Sequence, residues 1–361
     1  MTEQTVLASV RNNVGHLTLN RPSGLNALNL DMVRQLRQYL DAWMADNEIR
    51  VVVLRANGDK AFCAGGDIRS LYDSFKAGDG MYLTFFEEEY ALDQMIHTYP
   101  KPVLALMDGF VLGGGMGLAQ AASHRVVTER VKMGMPETGI GYFPDVGGSY
   151  FLSRLAGAIG QYLGITGSHI RAADALYAGL ADHCISSEMI DELDQALNRQ
   201  EWSDDPARDL TQLLHKHTSQ KIPGSEIKAL RPAIDRHFGQ PDMARIRDSL
   251  SGEDCPAYQD WAASTLTAID AKSPLAMCVT LELLRQGREL SLADCFALEL
   301  HLDRQWFAKG DIMEGVRALI IDKDKNPRWT PPTLAEVTSA QVAEFFDKPM
   351  ALSLSEQERG N

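Results

Sequence analysis

Residues 103–122 have the sequence VLALMDGFVLGGGMGLAQAA, in which an apolar run leads through clustered glycines into a second apolar segment. The run at 103–107 has the length of a buried strand, and the residues after the glycines have the composition of a helix. Glycine at such a junction lets a ligand approach the backbone and leaves N–H groups free at the helix start. The stretch therefore predicts a strand, a glycine turn and a helix whose first amides can bind phosphate or an oxyanion.

A second glycine turn precedes the first along the chain. Residues 61–67, AFCAGGD, also follow an apolar run, VVVL at 51–54, and come before a helical segment. Neither loop has the glycine spacing of a dinucleotide-binding turn or the lysine of a Walker loop, which excludes both kinds of phosphate loop. Two separated turns suit one N–H each to a shared oxyanion. The alternative is that each loop is only a tight turn with close helix–strand packing.

A third cluster supplies acidic side chains. Residues 135–148, MPETGIGYFPDVGG, place Glu137 and Asp145 in a segment rich in glycine and proline. The glycines and Pro144 argue against one continuous helix, so spacing alone does not decide whether the two carboxylates converge. Carboxylates on irregular backbone beside aromatic residues are typical of groups with a tuned pKa. The alternative for Asp145 is that it caps a helix that starts near Val146.

The pattern of the whole chain indicates an α/β fold. Short apolar strands alternate with helical periodicity in the first half, where Asn29 is predicted to cap a helix. After about residue 190 the segments are mainly helical, and Ser273 followed by proline predicts a further helix start. We therefore expect an α/β catalytic core over 1–190 and a mainly helical C-terminal region over 191–361.

Composition narrows the class of protein. The 361 residues include 49 acidic and 35 basic side chains, for a net charge of −14, which disfavours binding to nucleic acid or anionic membranes. The five cysteines include no C-x-x-C pair, so neither a disulfide framework nor a zinc ribbon is expected. The sequence shows no leader pattern and no run of about 20 apolar residues. We expect a soluble, reduced, cytoplasmic protein without a metal.

The three clusters together resemble the crotonase (enoyl-CoA hydratase/isomerase) superfamily. LNRP at 19–22 and NAL at 26–28 are similar to its N-terminal signature. Residues 136–148 and the segments 314–329 resemble its 3-hydroxyisobutyryl-CoA hydrolase subgroup. This resemblance implies a crotonase-like β-β-α superhelix with a helical C-terminal region. It also implies hydrolysis of 3-hydroxyisobutyryl-CoA to 3-hydroxyisobutyrate and CoA, as in valine degradation, with no cofactor beyond the CoA of the substrate.

The resemblance also implies roles for particular residues. By position, Gly66 and Gly114 match the two N–H donors of the oxyanion hole. Glu137 matches the main catalytic carboxylate, and Asp145 matches the second acid of the hydrolase subgroup. Glu89 matches a glutamate that contacts the substrate.

Three further residues are substrate-binding candidates on the glycine loop at 61–67 and the helix after it. Ala64 and Ile68 flank the predicted oxyanion donor. Arg69 falls where related enzymes often have a cation near the CoA phosphates, and its alternative is a solvated residue on a helix face. The expected partner is an acyl-CoA, with no nucleic acid and no membrane, and assembly into a homo-oligomer stays open.

One departure from the family pattern separates reaction types. Hydratases of the superfamily have a glutamate just after the glycine triplet, where this chain has Gly117. Hydration needs one group to activate water and another to deliver a proton, so this glycine disfavours hydratase activity. An enoyl-CoA isomerase or hydratase of fatty-acid or amino-acid breakdown is the alternative function.

The same residues also bear on other classes of protein. Cys63 could act as the thiol of a Cys-His thioesterase, although a lone cysteine is more often a small buried residue. No G-x-S-x-G motif occurs, which disfavours a serine hydrolase. The superfamily scaffold also serves RNA binding, and the acidic charge weighs against that role here.

Two mechanisms stay open for the carboxylates. In one, Glu137 attacks the thioester carbonyl and forms a mixed anhydride that water then cleaves. In the other, a carboxylate acts as general base on water. The thioester is a good acyl donor and CoA thiolate leaves readily, which favours the anhydride route.

Overall fold

The computed structural model describes residues 4–219 and 222–347. Its strands are β1 (Val6–Arg11), β2 (Val14–Leu19), β3 (Val51–Ala56), β4 (Ala61–Cys63), β5 (Val103–Met107), β6 (Phe110–Leu112), β7 (His124–Thr128), β8 (Lys132–Gly134) and β9 (His183–Ile185). Its first helices are α1 (Leu30–Ala45), α2 (Ile68–Ala77), α3 (Met81–His97), α4 (Gly114–Ala121), α5 (Gly148–Phe151), α6 (Ile159–Thr166), α7 (Ala172–Ala178) and α8 (Ile190–Arg199). The later helices are α9 (Pro206–His217), α10 (Glu226–Phe238), α11 (Met243–Ser251), α12 (Gln259–Asp270), α13 (Pro274–Gly287), α14 (Leu292–Lys309), α15 (Ile312–Val316) and α16 (Ser339–Glu344).

The strands alternate between two sheets. A larger sheet has the order β1-β2-β3-β5-β7-β9, and a smaller sheet has the order β4-β6-β8. β1 pairs antiparallel with β2, whereas the pairings from β2 to β9 and within the smaller sheet are parallel. Each turn of chain therefore gives one strand to each sheet before a helix follows, as β3, β4 and α2 do and as β5, β6 and α4 do. This arrangement confirms the expected β-β-α superhelix.

Two compact units divide the chain in an interleaved way. The first unit comprises Met1–Asp67, Glu88–Gly134 and Ile170–Glu226, and it holds both sheets. The second unit comprises Ile68–Glu87, Met135–His169 and Ile227–Asn361, and its described elements are helices and turns.

Helices α8 and α9 explain why part of the C-terminal half clusters with the sheets. Leu193 and Leu197 of α8 and Leu210 and Leu214 of α9 pack in one buried cluster with valines and leucines of the larger sheet. The described elements after residue 190 are helices joined by loops, of which 322–333 is the longest, and residues 348–361 lie outside the described residues. A domain boundary near residue 190 stays a prediction.

Local signals in the sequence act as expected. The Asn29 side chain accepts from the Met32 amide at 2.9 Å and caps α1, and Ser273 accepts from the Ala276 amide at 3.0 Å and caps α13. The apolar run at 51–54 is buried in β3, as parallel strands covered on both faces are. Within residues 4–219 and 222–347, none of the helices has the length and apolarity needed to span a membrane.

Candidate active site

The glycine turn at 61–67 directs the amide of Gly66 away from the segment of Leu28, with which it pairs. The Leu28 amide donates to the Gly65 carbonyl at 2.8 Å, and the Asp67 amide donates to the Leu28 carbonyl at 2.7 Å. These two bonds make a parallel bridge between Leu28 and Gly66. In such a bridge the residue between the two bonded positions points its own N–H to the other side. Gly65 has φ +104°, a conformation that favours glycine and that lets the chain turn here.

Gly114 begins α4 beside that amide. The amides of Met116 and Gly117 donate to the Gly113 carbonyl at 2.7 and 3.2 Å, so the Gly114 amide precedes the first bond of the helix. In the described part of the chain, neither the Gly66 nor the Gly114 amide donates to another backbone group. A β-carbon on Gly114 would lie 3.5 Å from the Gly66 nitrogen. The structure thus brings together the two glycines predicted as oxyanion donors.

A carboxylate stands at the same place. Glu89 of α3 is buried, with 2% of its surface exposed, and its Oε1 atom fills the space that a β-carbon on Gly114 would need. Ala64, another predicted substrate contact, is half-buried, and its amide donates to the Leu25 carbonyl at 3.1 Å. The Ala64 amide is therefore already bonded. The atom nearest to a β-carbon built on Gly114 belongs to the Glu89 carboxylate.

The Cys63 thiol is a poor nucleophile in this setting. Burial raises its pKa to about 12, and the charges of Glu89 and Asp93 act in the same direction. The nucleophile of a thioesterase must be a thiolate, which such a pKa keeps unpopulated at neutral pH. The structure therefore disfavours the Cys-His alternative and leaves Cys63 as a packed core residue.

The second unit holds the predicted carboxylates. Glu137 opens a 3₁₀ turn, Glu137–Ile140, which ends at Gly141 in the left-handed conformation, so the predicted break in the helix is confirmed. The Glu137 side chain is 6% exposed, and among the described residues its Oε2 atom has no hydrogen-bond partner. Burial raises the pKa of Glu137 well above its usual value, and the charge of Asp145 raises it further. The two carboxylates are thus coupled electrostatically.

The charge of Lys272 opposes the rise in the pKa of Glu137. Its buried ammonium has a lowered pKa because of desolvation, and its positive charge in turn lowers the pKa of Glu137. The Nζ atom lies against the turn of Glu137, 3.0 Å from where a β-carbon on Gly139 would stand. Sequence reasoning missed Lys272, because nothing in the residues around it marks a lysine that folds against a turn so distant along the chain.

Asp145 precedes a strained turn. Val146 has φ +50° and Gly147 has φ +81°, and the valine is a β-branched residue in a region that such residues rarely adopt. Gly147, which has no side chain, is the N-cap of α5, so this helix begins two residues later than expected and Asp145 is not its N-cap residue. Asp145 is buried, with 5% of its surface exposed.

One face of α14 contacts the segment that carries Asp145. Its residues Phe296, Glu299, Asp303 and Trp306 recur at helical spacing. Glu299 accepts from the Gly147 amide at 2.7 Å and from the Ser149 amide at 2.9 Å. Trp306 donates to the Gly141 carbonyl at 2.8 Å, Tyr142 donates to Asp303, and the Phe296 ring packs beside Gly147.

The sequence does contain a signal for this contact that the prediction did not use. Glu299 and Asp303 interrupt an otherwise apolar helix face, and buried carboxylates on such a face need partners. Burial raises the pKa of Glu299 to about 8, the donors on Ser149 and Gly147 lower it, and the charge of Asp145 raises it.

The remaining substrate-binding candidates, Ile68 and Arg69, belong to the second unit, whereas Ala64 and Gly66 belong to the first. Ile68 is half-buried and Arg69 is exposed, both at the start of α2. Ser149 is fully buried and its hydroxyl donates to Glu299 at 2.5 Å, which disfavours it as a serine nucleophile. No group of three or more His, Cys, Asp or Glu side chains in the described ranges is placed to hold a metal ion.

Comparison with known proteins places the chain in a family. The family described as Enoyl-CoA hydratase/isomerase matches residues 14–346. The chain is 41% identical to "3-hydroxyisobutyryl-CoA hydrolase, mitochondrial" of Gallus gallus, over 96% of this chain and 89% of that protein. It is 40% identical to the protein of that name from Danio rerio, over 92% and 86% of the two chains. A crystal structure titled carnitinyl-CoA dehydratase, from Mycobacterium thermoresistibile, matches with a TM-score of 0.88, 38% identity and 98% coverage of both chains.

These comparisons correct one expectation and confirm another. The prediction of a cytoplasmic location is wrong on this evidence, because the names of the Gallus gallus and Danio rerio relatives place those proteins in mitochondria. Composition could not have revealed this, since it bears on solubility and redox state rather than on the compartment. The predicted family is confirmed over nearly the whole chain. This chain belongs to the enoyl-CoA hydratase/isomerase family.

Proposed function

We propose that this protein hydrolyses 3-hydroxyisobutyryl-CoA, with one water, to 3-hydroxyisobutyrate and CoA. The observation that carries this proposal is the identity of 36–41% to curated proteins of that name, which spans more than nine tenths of the chain. The acidic pair of Glu137 and Asp145 agrees with it, because thioester hydrolysis needs a nucleophile or base and a second group that handles water. Such a reaction belongs to valine degradation.

The backbone of the first unit would polarise the substrate. In the proposed mechanism the thioester oxygen accepts from the amides of Gly66 and Gly114, which carry no competing backbone bond among the described residues. Donors fixed before the reaction stabilise the oxyanion of the tetrahedral intermediate at no cost in reorganisation. No metal or other cofactor is needed for this polarisation.

Glu137 would supply the nucleophile. Its Oε2 atom attacks the carbonyl carbon, the C–S bond breaks, and CoA leaves as thiolate and takes up a proton. The resulting mixed anhydride is then cleaved by water, which Asp145 orients, so that the hydroxy acid leaves and the Glu137 carboxylate is restored. A carboxylate with a raised pKa is the more basic and more nucleophilic one once ionised, and burial beside Asp145 raises the pKa of Glu137. In the second mechanism, Glu137 acts on water as a general base.

Other residues would bind the substrate. Glu89 stands beside Gly114, where it can accept a hydrogen bond from the 3-hydroxyl of the acyl group. Ala64 and Ile68 would contact the acyl-CoA, and exposed Arg69 would attract its phosphates. The proposed substrate is an acyl-CoA. One methyl group separates 3-hydroxyisobutyryl-CoA from 3-hydroxypropionyl-CoA, and it is worth about 1–3 kcal/mol of discrimination between them.

The second candidate function is hydration or isomerisation of an enoyl-CoA. The fold neighbour titled carnitinyl-CoA dehydratase favours it. Gly117 opposes it, because α4 offers no side chain where hydratases of the family have their glutamate. Free-thiol release from 3-hydroxyisobutyryl-CoA, measured against loss of enoyl absorbance from crotonyl-CoA, separates the two. We expect fast thiol release and slow hydration, and fast loss of the enoyl absorbance without thiol would overturn the hydrolase.

A further inference from the structure

We propose that Glu299 is a positioning residue that holds the turn carrying Asp145 in its reactive conformation. This inference rests on the proposed function, since it assigns a purpose to a residue that acts through Asp145. Glu299 lies in the middle of α14, is fully buried, and takes no part in the reaction steps described above.

The contacts of Glu299 converge on one short turn. Its Oε2 atom accepts from the Gly147 amide at 2.7 Å, and its Oε1 atom accepts from the Ser149 amide at 2.9 Å and from the Ser149 hydroxyl at 2.5 Å. Both carboxyl oxygens are thus engaged by residues that follow Asp145 by two and four positions. A carboxyl that bonds two backbone amides fixes the path of the main chain between them.

The turn needs such a restraint. Val146 lies directly after Asp145 with φ +50°, a left-handed conformation that disfavours a β-branched residue. Strained backbone of this kind persists only where the surrounding structure determines it. The bonds from Glu299 to Gly147 and Ser149 are placed on the next residues of the same turn. Loss of these bonds would let Val146 return to an extended conformation and would move the Asp145 carboxylate.

Burial makes the bonds of Glu299 costly to lose. A fully buried carboxyl is costly to desolvate, and it is tolerated where donors satisfy its oxygens. The neighbouring charge of Asp145 adds to that cost, since it opposes ionisation of Glu299. The specific gain that a carboxyl offers here is two acceptor oxygens facing two backbone donors.

Glu299→Gln is the primary test. Glutamine keeps the shape but has one acceptor oxygen, so its NH₂ group faces one of the two backbone N–H donors and one end of the turn is released. We expect kcat for thiol release from 3-hydroxyisobutyryl-CoA to fall about 10- to 100-fold with little change in KM, because small misplacement of a reacting group has effects of this size.

A double-mutant cycle with Asp145→Asn gives the readout that a merely structural role would not move. If Glu299 acts through Asp145, Glu299→Gln should lower kcat in the wild-type background and have almost no further effect in the Asp145→Asn background. Glu253→Gln is the matched control. Glu253 accepts from the Cys255 amide at 2.9 Å in the same unit, so this control should lower Tm and leave kcat unchanged.

Ser149→Ala keeps the cycle informative if Glu299→Gln does not fold. It removes the hydroxyl donor and retains both backbone bonds, so it should lower kcat a few-fold and show the same loss of effect in the Asp145→Asn background. Equal fold-losses in both backgrounds, or a wild-type kcat in Glu299→Gln, would overturn the positioning role. Failure of the wild-type protein to release thiol would instead overturn the proposed function, and this role with it.

Discussion

In the proposed mechanism, the two compact units contribute different kinds of chemistry. The first offers the main-chain amides of Gly66 and Gly114, and the second offers the carboxylates of Glu137 and Asp145. The Gly66 amide owes its availability to the bridge with Leu28, and the Gly114 amide owes it to its place at the start of α4. Burial and the charge of Asp145 raise the pKa of Glu137, Lys272 lowers it, and Glu299 bonds the turn after Asp145. The available amides therefore depend on main-chain contacts within the first unit, whereas the properties of the carboxylates depend on side chains that tertiary folding brings near.

The two kinds of chemistry also respond differently to mutation. A side chain can be deleted by any substitution, but a backbone donor disappears only with proline. The two units can therefore be tested by different kinds of substitution.

Glu137→Gln should almost abolish thioester hydrolysis. Glutamine fills the same space but is neither a nucleophile nor a base, so we expect kcat to fall by at least about 10³-fold. The measurement is thiol release under steady-state conditions. Glu137→Asp is the control, since it keeps the acid and draws it back by one methylene, and it should retain more activity than glutamine.

Borohydride added during turnover sharpens the same point. If Glu137 forms the mixed anhydride, reduction converts its activated carbonyl to an alcohol, and mass spectrometry of the peptide shows the change. Asp145→Asn should still acylate and release CoA in a burst, so trapping should increase in that variant. Absence of trapped peptide in both proteins would replace the anhydride with general-base hydrolysis.

Gly114→Pro should remove one donor of the first unit. Proline is tolerated at the first position of a helix, and the loss of one oxyanion donor typically costs about 10²–10³ in kcat. Gly114→Ala is the control: it retains the N–H but introduces a β-carbon that meets the Glu89 carboxylate. A proline variant that melts normally and turns over no more slowly than the alanine variant would remove Gly114 from the oxyanion hole.

Lys272→Met should shift the pH dependence of the second unit. The positive charge of Lys272 lowers the pKa of Glu137, so its removal should raise that pKa further. Hydrolysis that needs ionised Glu137 rises with pH through this pKa. The acidic limb of kcat/KM should therefore move to higher pH. Lys228→Met, at an exposed site, serves as control, and an unmoved limb in Lys272→Met would separate Lys272 from the titration.

Cys63→Ala should have the smallest effect. The thiol is buried with its pKa raised to about 12, so it contributes packing rather than chemistry. We expect an unchanged kcat and a slightly lower Tm, measured by thiol release and thermal melting. A large loss of kcat with a normal melt would show that the thiol takes part in the reaction, and it would contradict the assignment of backbone chemistry to the first unit.

The contrast between the units explains how far the sequence could be interpreted. The glycine turns, the cap at Asn29 and the alternation of strands are local patterns, and they predict an α/β fold and one backbone donor from each turn for a shared oxyanion. The resemblance to the crotonase superfamily, rather than these patterns, implies that the donors are Gly66 and Gly114. The break in the helix after Glu137 follows from its glycines and proline in the same way. The coupling of Glu137 to Asp145 could not follow from spacing, because it depends on burial by other segments. Lys272 and Glu299 reach the site by long-range folding, which no local pattern records.

The interleaving of the two units has a consequence for protein engineering. A fragment that ended near residue 190 would contain both glycine turns, Glu137 and Asp145, and therefore every motif that carries a proposed catalytic group. It would lack Lys272, which lowers the pKa of Glu137, and α14, whose Glu299 bonds the turn after Asp145. A minimal catalyst, or a graft of this site onto another scaffold, therefore has to carry the residues from 272 to 306 as well as the motifs.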